Sequence, residues 1–391
     1  MMSSWGVDCL EILSGGNTVR VCGRLRLRGR LRVLSALFGA AGEKKGGRGK
    51  MTGMWTVIAA IVSFAAAAAF GIWLVPFLKK IHFGQTIREE GPQWHNSKQG
   101  TPIMGGLMFI AASIVVGTLC ILMYHAFGVQ ETPLLNAKIF AGMFMAAAFG
   151  AIGFIDDYIK AVKKRNLGLT AVQKLVLQFV VAIAYLITIA IFGGKTETFI
   201  PFYGMLDIGI FYYPIAAILI VGIVNAANLT DGIDGLDGSV TFFICIFFML
   251  IASFVSRMGV SIMSAALAGG CLGFLVWNFH PAKVFMGDTG SLYLGGYVCA
   301  LAFALDMPIM LILMGLVYII EMFSVILQVL YFKATKGKRL FKMSPIHHHF
   351  EMCGWSEVKI VVMFSVFTVI CGALAFIVVV NGNYRIPAFS V

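Results

Sequence analysis

The chain has 391 residues, of which 59% are apolar and only 12% are charged, with a mean hydropathy of +0.90 and a formal net charge of +12. A soluble domain of this length cannot hide so much apolar surface, which excludes that class. The chain contains runs of about 20 apolar residues, which match the thickness of a bilayer. Because these runs are continuous rather than alternating, a β-barrel is excluded too. The sequence therefore predicts an all-α polytopic protein in the lipid bilayer.

Residues 1–50 differ from the rest of the chain in composition. They carry ten Lys and Arg residues against three acidic ones, on a background rich in Gly and Arg and without a long apolar run. Such a segment could contact anionic lipid, but its composition cannot bury a core. We therefore expect a basic, disordered extension at 1–50 and a transmembrane domain at 51–391, and we expect no nucleic-acid partner.

From Met54 onward the hydropathy pattern predicts ten membrane spans. Their connections alternate in charge, with sixteen Lys and Arg residues on one side of the membrane and four on the other. Because basic loops stay in the cytosol, the first set is predicted to lie inside and both ends of the bundle outside. The predicted spans are 54–78, 103–124, 138–155, 171–192, 208–228, 239–256, 262–280, 289–305, 307–330 and 358–380.

The stretch 225–238 lies between the fifth and sixth predicted spans and is unusually polar. An asparagine or aspartate recurs at every third position, and each of the three aspartates is followed by a glycine. Asp-Gly pairs favour turns, so we expect a helix to end here on the cytosolic face. The polar residues are Asn225, Asn228, Asp231, Asp234 and Asp237.

Other cytosolic segments carry polar residues that would meet this stretch. Asp156 and Asp157 lie at the end of the third span, where a bound cation or a raised pKa would relieve the repulsion of adjacent carboxylates. Asp288 lies in a Gly-Asp-x-Gly-Ser turn, which suits either a helix N-cap or a phosphate site. The histidine run 347–349 is a surface feature, a metal tract or a set of phosphate or base contacts; three consecutive side chains on a helix cannot all face one metal, which favours phosphate or base contacts over zinc.

Carboxylates on separate helices, at one depth and beside lysines and histidines, suit a Mg²⁺ ion that holds a diphosphate. Mg²⁺ in proteins commonly binds one or two carboxylates together with substrate phosphates. The arrangement predicts phosphoryl transfer at the membrane surface, between a soluble nucleotide conjugate and a lipid phosphate.

Four motifs resemble those of the phospho-N-acetylmuramoyl-pentapeptide transferases, within the polyprenyl-phosphate N-acetylhexosamine-1-phosphate transferase superfamily. The resemblance covers residues 54–380 and leaves out the first 50. It implies a reaction between UDP-N-acetylmuramoyl-pentapeptide and undecaprenyl phosphate that releases UMP and starts the lipid-linked stage of peptidoglycan synthesis. The motifs are Phe-Ile-Asp-Asp-Tyr at 154–158, Asn-Ala-Ala-Asn-Leu-Thr-Asp-Gly-Ile-Asp-Gly-Leu at 225–236, Phe-Met-Gly-Asp-Thr-Gly-Ser at 285–291 and Pro-Ile-His-His-His-Phe-Glu at 345–351.

The resemblance also implies roles for individual residues. Asp288 would be the main Mg²⁺ ligand, with Asp156 and Asp157 beside it, and these three residues with His347 form the implied catalytic set. Phe285 would stack on uracil. The implied substrate-binding set is Lys98, Lys174, Asn228, Asp231, Gly232, Asp234, Asn278, Phe285, Gln328 and His348.

The resemblance places the protein in the bacterial inner membrane, with the active site facing the cytoplasm and with a homodimer as the expected assembly. The chain departs from the family at Thr101-Pro102-Ile103, where a second threonine is usual, so that any hydroxyl role at position 103 is lost. Glu321 lies inside the ninth predicted span. It either faces a polar groove or makes a hydrogen bond to a neighbouring helix.

Two other functions remain as alternatives. A sister transferase acting on UDP-N-acetylglucosamine shares the aspartates but should lack the three histidines. A cation or lipid transporter would place its carboxylates near the middle of the bilayer, at the interface of internal repeats. The clustering of the aspartates at one rim favours a transferase.

Overall fold

A computed structural model shows the fold for residues 10–14, 17–21, 48–81, 100–128, 131–163 and 168–382. The chain divides into two units, residues 1–50 and 51–391. In the first unit, strand β1 (Leu10–Ser14) pairs with the antiparallel strand β2 (Asn17–Val21). The assignment of 1–50 as an extension and of 51–391 as the transferase domain stays a prediction.

Helices make up most of the remaining described chain, which confirms the predicted all-α class. Within the described ranges, nine helices are long and apolar enough to cross a membrane. A hairpin of strands β3 (Glu197–Ile200) and β4 (Gly204–Asp207) is the only sheet among the described residues beyond position 50. The helices are α1 (Arg48–Lys80), α2 (Leu107–Ala126), α3 (Pro133–Lys163), α4 (Ala171–Ile191), α5 (Tyr212–Thr230), α6 (Leu236–Phe254), α7 (Met258–Asn278), α8 (Gly287–Ala304), α9 (Leu311–Met314), α10 (Leu316–Ala334), α11 (Ile346–Glu351) and α12 (Glu357–Asn381).

The eighth predicted span forms α8, which is not one of the nine candidate membrane helices. It is enclosed by the other helices. Every residue from Thr289 to Ala304 is buried. Small residues permit this enclosure because they let helix backbones approach closely. A Cβ added at Gly296 would overlap the Phe149 ring of α3, and one added at Gly295 would lie 2.7 Å from the Val224 Cα of α5.

Three differences from the predicted spans stand out. Helix α3 continues past Asp156 and Asp157 to Lys163 instead of ending at them, so both carboxylates lie on a helix. The ninth span is interrupted at Gly315, which separates the short α9 from α10. The polar stretch 225–238 is mostly helical, because α5 ends only at Thr230 and α6 starts at Leu236.

The break between α5 and α6 is nevertheless where the Asp-Gly pairs predict it. Residues 231–235 form the connection, and Gly235 has a φ of 78°, a conformation that glycine adopts without steric cost. Asp237 was expected in this connection, but it lies in the first turn of α6 and is fully buried. Its Oδ1 atom accepts a hydrogen bond from the Tyr318 hydroxyl at 3.0 Å.

Candidate active site

The close packing of α3 against α8 brings three carboxylates together. A Cβ at Gly153 would overlap the main chain of Asp288, so only glycine at this position lets the two helices meet. Asp156 and Asp157 follow one turn later on α3, and Asp288 lies in the first turn of α8. One oxygen from each of the three carboxylates lies within 4.8 Å of the others. The fold therefore assembles the cluster that the motifs predict.

Asp157 caps the amino terminus of α8. Its Oδ2 atom accepts hydrogen bonds from the Thr289 N–H at 2.9 Å and from the Thr289 hydroxyl at 2.7 Å, and its Oδ1 accepts from the Asp288 N–H at 3.2 Å. A carboxylate at a helix amino terminus also interacts favourably with the helix dipole. Asp157 is 2% exposed. Its hydrogen bonds to residues 288 and 289 fix the position of Asp288.

Asp156 and Asp288 share a lysine that the sequence did not single out. The Lys160 Nζ atom lies 2.5 Å from Asp156 Oδ2, 3.0 Å from Asp288 Oδ2 and 4.0 Å from Asp157 Oδ1. Lys160 follows Asp156 by four residues on α3, a spacing that places two side chains on one helix face. The spacing of Asp156 and Lys160 could have indicated their contact from the sequence. The predicted span ended at residue 155, however, so the two residues were not expected to share a helix.

Asp288 is also held from α4 and α5. Its Oδ2 atom accepts a hydrogen bond from Lys174 at 2.9 Å, and its Oδ1 accepts one from the Asn228 amide at 2.9 Å. The same amide group lies 2.8 Å from the Ser291 hydroxyl, while Asn228 Oδ1 accepts from Lys174 at 3.3 Å. Ser291 and Thr289 therefore belong to the site, although the sequence presents them only as members of a turn motif.

The cluster has the charge and the ligands that a hard divalent cation requires. Three carboxylates face two ammonium groups, which leaves one net negative charge. The Lys160 ammonium lies among all three carboxylates, so a positive charge already occupies the point on which their oxygens converge. Carboxylate oxygens are the ligands that Mg²⁺ prefers. Asp156, Asp157 and Asp288 therefore fit a magnesium site.

Asp231 follows the end of α5 and is half-buried. Burial raises the pKa of this carboxyl well above its usual value, and the neighbouring carboxylates of Asp237 and Asp288 raise it further. Its side chain makes no hydrogen bond within the part of the chain that the structure describes. Asp231 is therefore available to a ligand.

Asp234 and Asn278 hold the segment that leads to Asp288. Asp234 Oδ2 accepts a hydrogen bond from the Ala282 N–H at 2.9 Å and lies 3.1 Å from the His280 Nδ1. Asn278 accepts from the Gly235 N–H at 3.0 Å and donates to the Val284 carbonyl at 2.9 Å. Both predicted substrate-binding residues thus use their side chains to join the 231–235 turn to residues 280–284.

Phe285 lies in the same segment and is half-buried. Its N–H donates to the Pro102 carbonyl at 2.8 Å, and its carbonyl accepts from the Gly105 N–H at 2.8 Å. The backbone of Phe285 is thus fixed against residues 102–105. Lys98, which the sequence analysis assigns to the same nucleotide site, lies outside the described residues.

The histidine run forms the short helix α11, and its three rings have different partners. His347 is fully buried and its Nδ1 atom lies 3.1 Å from Glu321 Oε2. His348 Nδ1 lies 2.6 Å from Glu351 Oε2. His349 Nδ1 accepts a hydrogen bond from the Lys342 N–H at 3.2 Å and so supports the preceding loop.

Gln328, the remaining predicted substrate contact, binds the protein backbone. Its Oε1 atom accepts hydrogen bonds from the N–H groups of Leu340 (3.1 Å) and Phe341 (2.8 Å). The structure therefore joins Asp156, Asp157, Asp288, Lys174 and Asn228 in one network. Gly232 contacts His347 separately, because a Cβ at this glycine would overlap the His347 ring.

Comparisons with known proteins show which family this chain resembles. Residues 139–306 match the model of glycosyl transferase family 4. Three curated proteins named phospho-N-acetylmuramoyl-pentapeptide-transferase are similar over most of their length. The protein from Caldicellulosiruptor bescii is 46% identical over 82% of this chain and 96% of its own, that from Clostridium perfringens strain SM101 is 46% identical over 82% and 95%, and that from Halalkalibacterium halodurans is 47% identical over 78% and 91%.

The region matched by the family model covers most of α3 and all of α4, α5 and α8, which supply every member of the Asp288 network. The similarity to the curated proteins extends well beyond that region. The chain belongs to the family of the phospho-N-acetylmuramoyl-pentapeptide transferases.

Proposed function

We propose that this protein transfers phospho-N-acetylmuramoyl-pentapeptide from its UDP conjugate to undecaprenyl phosphate. A phosphate oxygen of the lipid forms a bond to the sugar-linked phosphorus. The bond from that phosphorus to the bridging oxygen breaks, and UMP leaves with the electron pair. The observation that carries the proposal is the Asp156–Asp157–Asp288 cluster with its two lysines, in a chain 46% identical to transferases of that name.

Asp288 and Asp156 would hold a Mg²⁺ ion, with Asp157 as a neighbouring ligand that also fixes the start of α8. When bound, the ion supplies positive charge for the oxygens of the diphosphate. Lys160 and Lys174 contact Asp288 at 3.0 and 2.9 Å, so they are placed to neutralise phosphate oxygens at the same point. Phosphoryl transfer depends mainly on such positioning and charge stabilisation.

The nucleotide would lie against the turn between α5 and α6. Asp231 and Gly232 offer a carboxylate and a small residue there, while Asn228 connects the turn to Asp288. Phe285, whose backbone N–H and carbonyl are both hydrogen-bonded, would stack on the base. Asp234 and Asn278 support this wall through the contacts described above, and Lys98, Gln328 and His348 complete the proposed substrate-binding set.

We place the site on the cytoplasmic face of the bacterial inner membrane, with both ends of the bundle outside. The charge alternation of the connections supports this orientation, because Lys and Arg residues concentrate in the loops on the side of the aspartates. A soluble UDP conjugate would reach the site from the cytosol, while the lipid phosphate would arrive from the bilayer. A homodimer is proposed from the family resemblance alone.

The test is a UMP-release assay with the full-length protein in detergent, with undecaprenyl phosphate and each UDP-sugar, with and without Mg²⁺. We expect release from UDP-N-acetylmuramoyl-pentapeptide only when Mg²⁺ is present. Turnover of UDP-N-acetylglucosamine alone would assign the protein to the sister transferases. Absence of UMP release under every condition would favour a transporter and overturn the proposal.

A further inference from the structure

Glu321 and His347 form a buried acid–imidazole pair next to the proposed nucleotide wall. Glu321 lies on α10, His347 lies on α11, and both residues are 0% exposed. The Glu321 Oε2 atom lies 3.1 Å from the His347 Nδ1. An ionisable group inside an apolar helix is costly, and in membrane proteins such groups commonly serve a function.

The pairing determines which imidazole nitrogen is offered to a ligand. When the Glu321 carboxyl is ionised it can only accept hydrogen bonds, so in that state the imidazole proton lies on Nδ1 and Nε2 carries none. Nε2 is buried and has no hydrogen-bond partner among the described residues. Leaving a buried polar atom unsatisfied costs about 1–3 kcal/mol. Because native proteins rarely retain such atoms, a partner from outside the protein is indicated.

The Nε2 atom faces the turn between α5 and α6. A Cβ at Gly232 would overlap Nε2, so this position must be glycine for the imidazole to stay in place. Gly232 follows the end of α5, and the Asn228 side chain one turn earlier contacts Asp288 at 2.9 Å. The unsatisfied nitrogen therefore lies against the wall assigned to the nucleotide conjugate.

We propose that Glu321 is a positioning residue that acts through His347. It keeps the proton on Nδ1, so that Nε2 faces an oxygen of the bound nucleotide-sugar diphosphate. The inference rests on the proposed function, because the ligand of Nε2 is the substrate of that reaction.

The neighbouring pair of His348 and Glu351 provides a matched control. It joins the same two side-chain types at 2.6 Å, one residue further along α11, at a site where His348 is partly exposed. Glu321→Gln and Glu351→Gln remove the same charge from the two pairs. Only the first change removes the carboxylate that is paired with the histidine facing Gly232.

Kinetics of UMP release on the full-length protein test the role. For Glu321→Gln we expect a fall in kcat of about 100-fold and a change in KM for the UDP conjugate of less than about threefold. In a His347→Gln background, the same change should cause no further loss, because a residue that acts only through His347 has nothing left to position. Glu351→Gln should lower kcat less than Glu321→Gln does. Losses that multiply in the double variant would overturn the proposal.

The second measurement does not depend on activity. ¹⁵N NMR of histidine-labelled protein, with His347→Gln used to assign the signal, should show His347 protonated on Nδ1 in the wild-type chain and a mixed tautomer in Glu321→Gln. A wild-type His347 protonated on Nε2 alone, with a bare Nδ1, would contradict the role of Glu321. Absence of UMP release from the wild-type protein would instead contradict the proposed function, and the NMR result would still stand.

Discussion

Two groups of possible metal ligands look alike by distance but differ in what their oxygens contact. Asp156, Asp157 and Asp288 form one group, and Asp234, His280 and Glu357 form the other. In each group one ligand atom per residue lies within 4.8 Å of the others. Proximity alone would assign both groups to the same role.

The contacts separate them. The second group joins three backbone segments, because Asp234 accepts from the Ala282 N–H at 2.9 Å while its own N–H donates to Glu357 at 3.0 Å. The Asp288 group also holds N–H groups, but its oxygens converge in addition on the ammonium of Lys160. Three carboxylates around an ammonium group are a better candidate for a metal site than two carboxylates that bind backbone N–H groups and the His280 ring.

The largest effect is expected from Asp288→Asn. Loss of the central carboxylate removes the main metal ligand while it keeps the shape of the side chain, so UMP release should fall by at least about 10³-fold. The thermal unfolding temperature in detergent should change little. The matched variant in the other group is Glu357→Gln, for which we expect a much smaller loss of activity. Near-normal turnover of Asp288→Asn would remove this residue from the metal site.

Metal binding itself distinguishes the two groups. Electron paramagnetic resonance with Mn²⁺ as the probe should detect one site in the wild-type protein, and Asp156→Asn should weaken it by at least about tenfold, because a ligand and its charge are lost. Glu357→Gln should leave the Mn²⁺ affinity unchanged. Equal weakening in both variants would show that the two groups cannot be separated in this way.

Asp231 and Asp234 allow a comparison within the same turn. Asp231 has no hydrogen-bond partner among the described residues, so Asp231→Asn should weaken binding of the UDP conjugate about tenfold. Asp234→Asn should instead lower the free energy of unfolding by about 1–3 kcal/mol, because the Ala282 N–H loses a charged acceptor. Calorimetry and thermal denaturation provide the two measurements. Unchanged nucleotide affinity in Asp231→Asn would argue against its place in the pocket.

The smallest effect is expected from deletion of residues 1–50. None of the described members of the Asp288 network lies in this segment, and the similarity to curated relatives covers 82% of the chain. UMP release should therefore stay within about twofold of the full-length value, on the same scale as neutral surface changes. A large loss of activity with normal expression would assign a function to the basic segment.

The sequence by itself determined the fold class, the order of the long helices, and most of the Asp288 network. Apolar runs of bilayer length are local properties of the chain, so they need no tertiary information. The aspartates stand out because charged residues are rare here, at 12% of the chain. The Asp-Gly pairs likewise indicate the break after α5, since turn preference is a property of neighbouring residues.

Only the tertiary structure decided what each polar atom does. Thr289, Ser291 and Glu321 enter the site through contacts between helices, which no single helix encodes. In the same way Asp234, Asn278 and Gln328 use their polar groups on backbone segments distant in sequence or across a loop. Side-chain type indicates which chemistry is available, but the partner depends on how the helices pack, because packing determines which buried groups must satisfy one another.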